Sequence, residues 1–78
     1  MTIEYDNFVD AKGLQCPQPL LLASQAIKKM LPNSVLLLEV TDPHTDLDLQ
    51  VWCERFGHQI VHIEEKGDLF RFWIQKGN

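Results

Sequence analysis

The chain has 78 residues, 45% of them hydrophobic, which is near the smallest length at which one apolar core folds unaided, so a single domain spanning residues 1–78 is expected. Seven Lys and Arg against eleven Asp and Glu give a formal charge of −4, and with the basic residues scattered along the sequence direct nucleic-acid binding is not expected. Two cysteines, Cys16 and Cys53, are too few for a disulfide scaffold, the acidic N-terminus does not resemble a signal peptide, and no apolar run approaches the roughly 20 residues of a membrane span, so a reducing, cytoplasmic setting without membrane contact is expected.

Phe8, Val9 and Ala11 form a short apolar stretch that ends at Lys12-Gly13, a first strand running into a tight turn. A helix follows, in which Pro19, Ala23, Ala26, Ile27 and Met30 recur at three- and four-residue spacing. Lys28 and Lys29 suit its C-terminal end and Pro32 lies beyond it. Val35 to Val40 is aliphatic, branched and too short for a helix, so it reads as a buried second strand. Thr41-Asp42-Pro43-His44 is turn chemistry, and Thr45 with Asp48 has the spacing of a capping box. The second helix is expected to run to Phe56, with Leu49, Trp52, Cys53 and Phe56 on one face and Gly57 as a left-handed terminator. Residues 60–63 and 69–74 make two more strands around a turn containing Gly67, and Phe70, Phe72 and Ile74 alternate with Arg71, Trp73 and Gln75. The order βαβαββ implies an α+β, two-layer sandwich: a four-stranded mixed sheet with both helices on one face.

The informative segment is Gly13-Leu14-Gln15-Cys16-Pro17-Gln18-Pro19, which sets a cysteine at the start of the first helix. Pro17 reads as the first helical residue, where a missing amide costs nothing, and Pro19 is tolerated in the same turn. The helix dipole favours a thiolate there by about 0.3–1 kcal/mol, less than one pKa unit, so full activation would need a nearby cation, either Lys12 or a Lys or Arg distant in sequence. Placement alone leaves two readings of Cys16 open, a buried small residue and a reactive thiol.

Gly-Leu-x-Cys-Pro-x-Pro, followed by a helix, an aliphatic strand, Asp42-Pro43, Cys53 and Gly57-His58, resembles the TusA/SirA-like sulfur-carrier family along nearly the whole chain. The resemblance implies a fold like the C-terminal domain of translation initiation factor three. It also implies that Cys16 accepts sulfane sulfur as a persulfide. The donor would be a cysteine desulfurase or another persulfide-bearing protein, and the acceptor a downstream protein, in a sulfurtransferase step that needs no cofactor. One branch of the family leads to thiolation of transfer RNA; others serve sulfur oxidation or cofactor sulfuration. The alternatives are a non-catalytic interaction or regulatory module docking through the Cys-Pro-Gln-Pro loop, and a redox sensor linking Cys16 to Cys53.

The remaining polar residues have plainer readings. Cys53 shares a face with apolar residues and reads as packing. His44, His58 and His62 show no paired-ligand spacing with either cysteine, so no metal site is expected. Asp10 and Asp42 read as turn residues, and Gln15 and Gln18 as exposed neighbours of the cysteine.

Overall fold

The computed structural model describes residues 4–15 and 17–77. The elements follow in the order β1 (Asn7–Ala11), α1 (Gln18–Lys28), β2 (Val35–Val40), α2 (Thr45–Phe56), β3 (Gln59–Lys66) and β4 (Leu69–Gln75). The strands lie side by side as β1-β2-β4-β3, with β1 parallel to β2 and the other pairs antiparallel. The βαβ crossover through α1 produces the parallel pair, and the hairpin adds the antiparallel ones. The expected mixed sheet with its two helices is observed.

Both helices pack on the sheet face that carries Ala11, Leu36, Leu38, Val40, Phe72 and Ile74. Against these, α1 and its exit contribute Ala23, Ile27 and Met30, and α2 contributes Leu49 and Cys53. Gly57 closes α2 at φ 78°, which needs no Cβ, and the His58 amide donates to the Cys53 carbonyl.

Four expectations are corrected. Helix α1 begins at Gln18, with Pro17 as its N-cap and Pro19 at the second helical position; the Pro17 carbonyl accepts from the Leu21 amide. The capping box is absent. His44 is the N-cap and makes no side-chain cap bond, while Thr45 is turned inward, fully buried, its hydroxyl without a partner among the described residues. Phe56 is 57% exposed, because the buried stripe of α2 is Thr45, Leu49 and Cys53 at four-residue spacing. Strand β3 continues to Lys66, leaving a two-residue connection with Gly67 at φ 60° that matches the twist of the hairpin.

The helix-free face of the sheet is also ordered. Asp10, Glu39, Arg71 and Glu64 are register neighbours across all four strands. Glu39 is 8% exposed and is held by Lys12 Nζ at 3.0 Å and Arg71 Nε at 2.8 Å. Burial pushes the Glu39 carboxyl up, but the hydrogen bonds and charges of Lys12 and Arg71 outweigh it and hold the pKa below the ordinary value. The next row is Phe8, Leu37, Trp73 and His62. The His62 and Trp73 rings meet edge to face at 5.0 Å, and Trp73 is only 3% exposed.

The chain's last described residues are tied down at the ends of both helices. Lys76 donates its amide to the Ser34 carbonyl and its ammonium to the Met30 carbonyl, and the Gly77 amide donates to His58 Nδ1 at 3.0 Å. A Cβ on Gly77 would collide with the Gly57 carbonyl. Only neutral imidazole accepts the Gly77 amide, and desolvation first, then the Lys76 charge, holds the His58 pKa below its usual value. A depressed pKa means that the His58 contribution to stability is complete above pH 6.5 and is lost as pH falls below it. His58→Gln should therefore destabilise the protein at about pH 7.5 more than at about pH 5. Urea midpoints of the two proteins check this; a gap that does not narrow on acidification contradicts it.

Candidate functional site

The loop that leads into α1 is built by short-range bonds. Asp10 Oδ1 accepts the Lys12 amide, the Ala11 carbonyl accepts the Leu14 amide, and Gly13 occupies φ 82° between them. This backbone conformation favours glycine over any residue with a Cβ. The Gly13 amide donates to Thr41 Oγ1 at 2.9 Å, which pins the loop to the end of β2. Gln15 then accepts from the Gln18 amide at 2.9 Å and the helix begins. Gln15, Pro17 and Gln18 are all exposed. Cys16, the expected reactive residue, lies outside the described residues; its neighbours on both sides are described.

Beside this loop runs an open groove of about 800 Å³ lined by Gln15, Asp42, Pro43, His44, Leu47 and Asp48. A smaller recess is lined by Gly13, Gln15, Pro17 and Gln18. The structure thus brings both glutamines of the motif and Asp42 together at one end of the molecule. Asp42 is the turn residue its sequence context implied: Oδ1 accepts the His44 amide at 3.0 Å and stands 3.1 Å from His44 Nδ1. Leu47 at 68% and Val51 at 60% exposure continue the surface along α2 as an apolar stripe.

Lys12 is engaged elsewhere. Its ammonium lies 3.0 Å from Glu39 and 3.5 Å from Asp10, and the Glu39 hydrogen bond is the main reason its pKa is raised. With its charge balanced by two carboxylates, Lys12 is a tether for the turn rather than a free cation. Sequence reasoning passed over Glu39, although a lone carboxylate in Leu-Leu-Leu-Glu-Val calls for a cationic partner once the strand is buried.

Cys53 is 3% exposed and unbonded, and burial pushes its thiol up to about 11. A thiol so placed is protonated and shielded at neutral pH. Among the described residues no group of His, Cys, Asp and Glu is arranged to hold a metal ion, and no helix is long and apolar enough to cross a membrane.

Comparison with known proteins agrees with this architecture. Residues 7–76 match the family model described as "Sulfurtransferase TusA". The chain is 36% identical over 72 residues to YrkI of Bacillus subtilis (strain 168), covering 92% of this chain and 96% of that protein. It is 33% identical over 76 residues to the sulfur carrier protein TusA of Pseudomonas aeruginosa (strain LESB58), covering 97% and 96%. The fold matches a crystal structure of a SirA-like protein from Desulfitobacterium hafniense with a TM-score of 0.79 at 24% identity, over 94% of this chain and all of the other. A family match over residues 7–76, joined to the βαβαββ sheet and the glycine turn before α1, shows that the chain belongs to the TusA family.

Proposed function

We propose that this protein is a sulfur carrier that holds sulfane sulfur as a persulfide on Cys16. The observation that carries the reading is the Cys-Pro-Gln-Pro segment at the entrance to α1, in a chain whose relatives include proteins named sulfur carriers. In the loading step the Cys16 thiolate attacks the terminal sulfur of a donor's cysteine persulfide. A new S–S bond forms on Cys16, the donor's S–S bond breaks, and the donor cysteine leaves as a thiolate, with no net oxidation. Transfer onward is the same exchange, with an acceptor protein's thiolate attacking the terminal sulfur of the Cys16 persulfide. A cysteine desulfurase is the donor of matching chemistry, and a thiolation enzyme acting on transfer RNA is an acceptor of the required kind.

The groove beside the loop supports this reading, because a carrier must present its sulfur to two larger proteins in turn. It offers an exposed leucine and a carboxylate rim on which a basic partner surface can settle. No first-turn carboxylate of α1 opposes a thiolate at that helix start.

The test is intact-mass spectrometry of wild type, Cys16→Ser and Cys53→Ser after incubation with a cysteine desulfurase, its pyridoxal phosphate and free cysteine. Wild type and Cys53→Ser should gain one reductant-labile sulfur atom and Cys16→Ser none. Loading retained in Cys16→Ser sinks the assignment. Absence of loading from several donor types, with the Cys16→Ala protein still binding its partner, favours a docking module instead.

A further inference from the structure

Four of the seven basic residues, scattered in sequence, are gathered by the fold around the C-terminal ends of the two helices: Lys28, Lys29, Arg55 and Lys76. Between them lies a pocket of about 400 Å³ lined by Ser24, Ile27, Lys28, Trp52, Phe56, His58 and Lys76. Among the described residues no carboxylate lines it, although the chain carries a net charge of −4. Trp52 lies at 6.0 Å and 51° from Phe56 and at 5.0 Å from His58, so aromatic rings form one side. Arg55 stands 5.8 Å from the Phe56 centroid at the rim.

We propose that this pocket is a binding site for a small aromatic anion of mononucleotide size. The ring would lie against Trp52 and Phe56, and the phosphate would sit between Lys28 and Lys76. Three features favour such a ligand over a purely apolar one. Lys28 has no acidic partner among the described residues, and Lys76, bonded to the Met30 carbonyl, keeps two further ammonium protons. His58 accepts the Gly77 amide at Nδ1, so in its neutral form the proton sits on Nε2 and that nitrogen is a donor. Ser24 adds a hydroxyl on the same lining. The volume falls within the roughly 300–1,000 Å³ of small-molecule sites, where apolar walls with a few convergent polar groups are the rule.

The pocket lies at the C-terminal end of α1, and Lys28 on its lining is about 15 Å along the helix from Gln18 by the rise per residue. A bound ligand would leave the cysteine loop uncovered, so occupancy and sulfur loading are separate properties and Cys16→Ser should bind normally.

The experiment is a titration of the ¹⁵N-labelled chain with adenosine 5′-monophosphate, and separately with uncharged adenosine, followed by amide and indole cross-peaks. With the nucleotide, saturable shifts should be confined to residues around Ser24, Lys28, His58 and Lys76 and to the indole of Trp52, while the indole of Trp73 stays still. Adenosine should bind at least about fivefold more weakly, and Lys28→Gln, an exposed substitution, should weaken nucleotide binding by about fivefold. The proposal is overturned by an absence of saturable shifts at millimolar nucleotide, by equal binding of adenosine, or by shifts in Lys28→Gln identical to wild type.

Discussion

Phe72→Ala should lower the free energy of unfolding by about 3–5 kcal/mol, the largest stability loss expected from any single truncation in this chain. Phe72 is fully buried on β4, one of the two central strands, with Leu38 opposite it on β2 and Ile63 on β3. Its ring lies parallel to that of Phe70 at a centroid distance of 6.4 Å, on the face that both helices cover. Backbone hydrogen bonds on both edges of β4 hold its neighbours in place, so the vacated volume cannot close by a strand shift. Native stabilities are about 5–15 kcal/mol, with small domains toward the low end, so the variant would be close to unfolding at body temperature. Urea denaturation should show a lower midpoint with an unchanged slope. Leu47→Ala, at a residue 68% exposed, should stay within about 0.5 kcal/mol of wild type. A Phe72→Ala loss under about 1.5 kcal/mol would mean that the interior rearranges to fill the space.

Most of the architecture was legible because it rests on local chemistry. The three- and four-residue apolar spacing of α1, the branched run of β2 and the alternation of β4 each have one low-energy solution, and each was found where the pattern put it. What escaped depends on where side chains point after packing. Thr45 and Asp48 carry capping-box spacing, but the core claims Thr45, and Leu49 and Cys53 continue the same buried stripe. Phe56 follows Cys53 at helical spacing, yet it comes one position before the place where the four-residue stripe would continue and ends against Trp52 at the surface. The cross-sheet row Asp10, Glu39, Arg71, Glu64 was invisible because register joins strands far apart in the chain. At the candidate site, the glycine turn, the turn role of Asp42 and the exposure of Gln15 and Gln18 were readable. The Thr41 contact to Gly13 and the neutralisation of Lys12 were not, since both cross from one strand to another.

In a Cys16→Ser background, where Cys53 is the sole thiol, alkylation of the native protein should be slower than that of an ordinary cysteine by on the order of 10²-fold at pH 7. The factor follows from the thiolate fraction alone: with a pKa of about 11 it is roughly 10⁻⁴, against roughly 3% for a free cysteine. Burial beneath α2 adds to it, so labelling proceeds through opening of the fold. Phe72→Ala, which raises the open population, should then speed Cys53 labelling by about 10²- to 5 × 10³-fold if reclosing is fast. A rate indifferent to Phe72 would mean that α2 lifts from the sheet by itself. This inertness bears on the proposed function. A reactive second thiol within reach could attack the inner sulfur of a Cys16 persulfide, forming a disulfide and expelling hydrosulfide, and the cargo would be lost. Holding Cys53 protonated in the core with Leu49 closes that route.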